Sequence, residues 1–235
     1  MNKKVINDLF DYTNMKIVQD EDNFKFSLDS ILLAEFVENP KLKFKILDMC
    51  TGNAPIPLIL STKFDNEIVG FEIQSKIYDM AKESILINNL ENQIKLINDD
   101  VKKIENYFPG NNFDVITCNP PYFKCTNNSL KNENVIKSIA RHEIKIDLET
   151  IIKLAADNLN NKGTFYLVHR PERIDEIISL CLKNKLAIKK IHLISTKESN
   201  DPSIILIKAV KNGGNGVKVK ITRNINNLTS YQNIF

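Results

Sequence analysis

Short apolar runs alternate with helix-like periodic segments along most of this chain. Residues 44–49, 67–71, 94–98, 113–118 and 163–168 are rich in Ile, Val and Phe, and helical spacing fills the stretches between them. Such alternation predicts an α/β fold with a parallel sheet covered by helices on both faces. The clearest helix spans 74–90, with Ile77, Met80, Ala81, Ile85 and Leu90 on one side and Lys76, Lys82 and Glu83 on another. Two later runs, 187–195 and 203–210, flank Asn200-Asp201-Pro202 and predict an antiparallel pair closing the sheet edge. That makes a seven-stranded, mostly parallel sheet. After it come the turn-like 212–216 and a short Val-Lys-Val-Lys-Ile alternation.

Length and composition bound the picture. With 235 residues, 43% of them hydrophobic, the chain can bury a real core as one domain with small appendages. The expected division is 1–43 as a leading segment, 44–210 as the main domain and 211–235 as a basic tail. No stretch approaches the roughly 18 uninterrupted apolar residues of a membrane span, and Met-Asn-Lys-Lys is not followed by an apolar signal region. A cytoplasmic protein with no membrane partner is expected. Cys50, Cys118, Cys125 and Cys181 form no CxxC pair, and His142, His169 and His192 show no ligand spacing, so reduced thiols and no metal are expected. Net charge is only +3, yet 211–235 carries Lys211, Lys218, Lys220 and Arg223 with no acid. Residues 123–141 similarly hold Lys124, Lys131, Lys137 and Arg141 against Glu133 alone, a balance that suits a phosphate-rich partner or a solvated surface.

The most specific chemistry lies where the fourth run ends, in Asn119-Pro120-Pro121-Tyr122. An amino group on an aromatic ring or an amide is a poor nucleophile, because its lone pair is delocalised. The Asn119 side-chain oxygen and the Pro120 carbonyl can each accept one of its N–H bonds and turn the lone pair toward a methyl donor. Pro120 and Pro121 fix φ at consecutive positions, and Tyr122 offers a face for stacking a planar group. A rigid strand exit is the structural alternative.

Acids occupy the ends of the three preceding runs. The first leads into Asp48-Met49-Cys50-Thr51-Gly52-Asn53-Ala54, which resembles the D-x-G-x-G-x-G turn of Rossmann-like methyltransferases with Cys50 and Ala54 in place of the outer glycines. A dinucleotide pyrophosphate needs closer backbone approach than this turn provides, whereas S-adenosylmethionine has no pyrophosphate. Glu72, at the end of the second run, suits ribose hydroxyls, and Asp100, after the third, suits an adenine amino group. Each acid alone would equally serve as a helix cap.

Together with residues 26–33, 139–143 and 169–177, these features resemble the bacterial tRNA1(Val) adenine-37 N6-methyltransferase family, within the class I S-adenosylmethionine-dependent methyltransferases. The likeness spans about 26–219. It implies a Rossmann-like fold and transfer of a methyl group from S-adenosylmethionine to adenine 37 in a tRNA anticodon stem-loop. By resemblance, Asp48, Cys50, Thr51, Gly52 and Asn53 line the methionine end of the cofactor, Glu72 holds the ribose, and Asp100 with the Val101 amide holds the adenine. Phe26 and Asp29 close over the cofactor, and Asn119, Pro120, Pro121 and Tyr122 hold the target. Phe123, Lys124, Arg141, His142, Arg170 and Arg173 are the expected RNA contacts. The oligomeric state is left open. The same tetrad also serves glutamine, DNA-adenine and ribosomal-guanine methylation. From the residues before the first strand, neither the helical domain of release-factor enzymes nor the target-recognition domain of DNA enzymes is expected. A non-catalytic RNA-binding protein on this fold is the alternative from another class.

Overall fold

The computed structural model of the chain describes residues 4–9, 12–20, 27–38, 44–110, 113–120, 146–195, 201–223 and 225. The main sheet is built from β3 (Ile46–Asp48), β4 (Ile68–Phe71), β5 (Ile94–Ile97), β6 (Phe113–Cys118), β7 (Leu159–His169), β8 (Leu186–Ile194), β9 (Ile204–Lys211) and β10 (Lys218–Thr222), in the spatial order β10-β8-β9-β7-β6-β3-β4-β5. From β3 the chain runs outward through β4 to β5, then returns to place β6 on the other side of β3. The order therefore reverses between β3 and β6, and in an open α/β sheet the crevice at the carboxyl ends beside such a reversal is where ligands bind.

Strand alternation explains the two-sided core. Ile46, Ile68, Val115, Val168 and Leu206 face one apolar layer, while Leu47, Val69, Ile116, Leu167 and Ile207 face the other, all nearly without exposure. Each such side chain contributes about 1.5–3 kcal/mol by leaving water. Helices α1 (Leu28–Phe36) and α2 (Pro55–Lys63) supply buried residues to the first layer. The second layer receives α4 (Leu148–Asn158) and α5 (Ile174–Lys183), and α3 (Ser75–Ile87) runs between β4 and β5. In α4, Asp147 caps the first turn by accepting the Thr150 N–H at 2.7 Å, and Ile151, Ile152 and Ala155 turn inward.

Two features depart from the sequence expectation. The sheet has eight strands among the described residues, not seven, because the Val-Lys-Val-Lys-Ile alternation forms β10 and pairs parallel with β8. The antiparallel β8/β9 pair exists, but it does not close the edge. Lys218 to Ile221 are exposed on both faces, so ladder hydrogen bonds rather than burial hold β10, and an apolar run cannot announce such a strand. The second departure is an N-terminal hairpin, β1 (Lys4–Leu9) with β2 (Tyr12–Asp20), separate from the main sheet. It is tied to α3, where the Val18 N–H donates to Ser84 Oγ at 2.9 Å. No helix among the described residues is long and apolar enough to cross a membrane.

Candidate functional site

The turn after β3 is positioned by its neighbours on both sides. The Met49 N–H donates to the Thr117 carbonyl of β6 at 3.0 Å, and the Thr51 N–H to the Phe71 carbonyl of β4 at 2.9 Å. Asn53 reaches across to the hairpin, its Nδ2 donating to the Val18 carbonyl at 2.8 Å. Gly52 has φ 58° and Ala54 φ 72°, whereas Cys50 keeps an ordinary backbone. Of the two replaced glycines, only Ala54 occupies the left-handed region, where a Cβ carries a cost of about 1–2 kcal/mol.

Asp48 is fully buried, and its Oδ1 accepts the Thr117 hydroxyl at 2.7 Å. Burial pushes its carboxyl up to about 6; the Thr117 bond and the nearby Thr51 hydroxyl oppose that rise, and the Glu72 charge adds to it. Asp48 Oδ2, Thr51 Oγ1 and Asn53 Oδ1 are buried with no hydrogen-bond partner among the described residues. Unsatisfied polar atoms concentrated in one turn are expensive in a folded core unless a ligand completes them.

Glu72 is the bridge between strand ends. Its Oε2 accepts the Gly52 N–H at 3.0 Å, its Oε1 accepts the Gln74 N–H at 2.8 Å, and the residue is 7% exposed. Asn98 Nδ2 supports the same segment through the Glu72 carbonyl at 2.8 Å. At the next strand end, Asp100 Oδ1 accepts the Lys102 N–H at 3.0 Å and caps the short turn Val101–Asn106. Its neighbour Asp99 is held below the usual carboxylate range, chiefly by a bond from Lys103, with the Asp100 N–H and the Tyr107 hydroxyl also donating to it.

One strand from the cofactor-like turn, Asn119 follows the end of β6. Its Nδ2 donates to Ser30 Oγ at 2.8 Å and to Ser27 Oγ at 3.3 Å, both from the start of α1. Pro120 is buried. Beneath Asn119, Cys118 Sγ lies 3.9 Å from Cys50 Sγ, both as free thiols, and burial raises the Cys118 thiol well above its usual range. Asp29, also on α1, is buried and pairs with Arg170 Nη2 at 3.3 Å, while Arg170 Nη1 donates to the Ser203 carbonyl at 2.9 Å. Arg173 grips Glu176 with two bonds of 2.8 and 2.7 Å. His169 Nδ1 accepts the Arg170 N–H at 2.8 Å, and burial, reinforced by the Arg173 charge, lowers its pKa to about 4.

The structure thus gathers Asp29, Asp48, Cys50, Thr51, Gly52, Asn53, Glu72 and Asn119 around the β3/β6 reversal, with Asp100 and Val101 at the end of β5. Phe26, Pro121, Tyr122, Phe123, Lys124, Arg141 and His142 lie outside the described residues. Sequence reasoning missed Ser27, Ser30 and Thr117. The signals were present: two hydroxyls three residues apart at a helix start, and one hydroxyl inside an otherwise apolar strand. No group of three or more His, Cys, Asp or Glu side chains suited to a metal occurs among the described residues.

Comparisons with known proteins agree with this fold. A family model described as RNA methyltransferase matches residues 16–164. The chain is 28% identical over 223 residues to a tRNA1(Val) (adenine(37)-N6)-methyltransferase of Bacteroides thetaiotaomicron, covering 94% of this chain and 85% of that protein. Among solved structures, an Agrobacterium tumefaciens protein described as a predicted O-methyltransferase superposes with a TM-score of 0.66 at 20% identity, over 87% of this chain and 90% of the other. The M. jannaschii TYW2 in complex with AdoMet gives a TM-score of 0.60 at 14% identity, over 89% and 86% of the two chains. At such identities the structural likeness establishes the fold.

Proposed function

Because the chain belongs to the RNA methyltransferase family, we propose that it methylates N6 of adenine 37 in a tRNA anticodon loop, valine tRNA by its relatives' names, using S-adenosylmethionine. The observation that carries this reading is the placement of Asn119, whose carboxamide is held at the carboxyl end of β6 beside the turn that ends β3.

The residues present fit the cofactor. Asp48 Oδ2, Thr51 Oγ1 and Asn53 Oδ1 are buried polar atoms lacking partners among the described residues, and they answer an ammonium and hydroxyls rather than a phosphate. Glu72 is already aligned by two backbone donors, so it can accept ribose hydroxyls without reorganising. Asp100 and the Val101 N–H, which follow β5, would read the adenine edge. When bound, S-adenosylmethionine supplies an electrophilic methyl group on a sulfonium sulfur.

Asn119 and the Pro120 carbonyl would each accept one N–H of the target amine and so localise its lone pair. No general base is needed, since the methylated amine sheds its proton to water. The base must first leave the anticodon stack, at about a few kcal/mol.

The test incubates the protein with labelled cofactor and total tRNA lacking the modification, then identifies the labelled nucleoside. N6-methyladenosine at position 37 is expected; label on guanine or on protein overturns the assignment. Asn119→Ala should cut turnover about 10²- to 10³-fold, as loss of one preorganised polar group does, with cofactor binding retained.

A further inference from the structure

We infer that Ser27 and Ser30 are positioning residues that hold the Asn119 carboxamide with its oxygen turned toward the target amine. The inference rests on the proposed function and adds to it a role for the start of α1.

An asparagine side chain presents a donor at one end and an acceptor at the other, and the two ends have nearly the same shape. Only the oxygen suits an amino group, which brings N–H bonds of its own. Asn119 with Nδ2 forward would meet the substrate donor to donor. A hydroxyl both accepts and donates, so what α1 supplies is a fixed pair of partners that hold the carboxamide in place. Ser27 stands at its N-cap and Ser30 in its first turn, three residues on, so both hydroxyls project from the same side of the helix start. Nδ2 carries two hydrogens, and it donates to Ser30 Oγ at 2.8 Å and to Ser27 Oγ at 3.3 Å. With the nitrogen turned to the serines, the planar group turns Oδ1 to the opposite side. Ser27 makes no side-chain cap bond to its own helix, so its hydroxyl is not consumed by capping. Ser30 is 5% exposed, so its bond to the Asn119 nitrogen is sheltered from bulk solvent.

The experiment combines kinetics with an observation that needs no turnover. Ser27→Ala/Ser30→Ala should lower kcat about 10- to 100-fold, the scale of a misplaced reacting group, with KM for tRNA and cofactor affinity nearly unchanged. Adding Asn119→Ala should make the enzyme no slower than Asn119→Ala alone, because the serines act only through that side chain. In the 15N NMR spectrum of the full chain without ligands, the Asn119 side-chain amide, assigned by its loss in Asn119→Ala, should exchange with water about 10-fold faster in the double serine variant. Thermal melting checks the fold. Where the double variant does not fold, Ser27→Ala alone changes an exposed residue and should slow turnover about 2- to 5-fold with the same amide response. Unchanged kcat, serine and Asn119 effects that multiply, an unaltered amide, or losses confined to binding would each overturn the inference. If the amide responds while the wild-type chain makes no N6-methyladenosine, the functional reading fails and the positioning role stands.

Discussion

Gly52 donates its backbone N–H to Glu72 Oε2 at 3.0 Å, so a carboxylate from the end of β4 clamps the turn that ends β3. The second oxygen accepts the Gln74 N–H, which ties the clamp to the start of α3. One side chain therefore fixes the shape of the turn, and in the proposed site the same carboxylate would hold the cofactor ribose.

Glu72→Ala removes both functions together. A hydrogen bond to a charged group contributes about 1.5–3 kcal/mol, so cofactor affinity should fall at least about 10-fold while Asn119 stays in place. Titration calorimetry with S-adenosylmethionine measures this, and an unchanged dissociation constant would remove Glu72 from the site. Glu72→Gln should fall between, because it keeps one acceptor but sets an amide NH2 against a backbone donor.

Gly70 matters through closeness rather than through φ. A Cβ built there would lie 2.9 Å from both Thr51 Oγ1 and Leu96 Cδ2, within the sheet that supports the turn. Gly70→Ala should destabilise the fold by about 1–3 kcal/mol, as overpacking does, and weaken the cofactor by displacing Thr51. Urea melts and calorimetry separate the two effects.

The alternation of apolar runs and helical periods was enough to reveal the parallel sheet, and strand ends placed Asp48, Glu72, Asp100 and Asn119. These signals are legible because burial forces them into the pattern. Two kinds of feature were not. β10 is exposed on both faces and held by its backbone ladder, so nothing in its side chains demands a sheet. The Ser30–Asn119 bond joins residues 89 apart in sequence, and only the fold brings them together. The replaced glycines were also ambiguous in sequence. Cys50 meets no conformational demand for glycine, whereas Ala54 sits at φ 72°.

Stability should fall as pH drops from about 6.5 to 4, a window set by His169 and His192. Both are lowered from the ordinary 6.5 to about 4: burial dominates, with Arg173 charge acting on His169 and Lys220 and Lys190 charges on His192. In that window the unfolded chain binds protons that the folded chain refuses, which costs roughly 1.4 kcal/mol per pH unit and group at most. Asp48 acts in the opposite sense, since its folded value of about 6 lies above the ordinary 3.8 and its proton is favoured in the fold. Replacing both histidines with Gln should leave the Asp48 slope exposed, so that stability declines as pH rises from about 4 to 6. Urea melts across that range test the sign.

Arg170 joins the end of β7 to α1, and its removal has two separable consequences. Asp29 has only 8% of its side chain exposed, while Arg170 keeps 41%, so the pair is unequal in what it loses on separation. Arg170→Ala strands a nearly buried carboxylate and should destabilise the fold by about 1–3 kcal/mol. In Arg170→Ala/Asp29→Asn the stranded charge is gone, and part of that stability should return; strict additivity would mean the pair is not coupled. The exposed portion of the guanidinium was also expected to meet a tRNA phosphate. If it does, the salt dependence of tRNA binding should weaken by about one unit of log–log slope in both variants alike, since neither retains the cation. A slope equal to wild type in both would confine Arg170 to bracing α1, and with it the segment that carries Ser27 and Ser30.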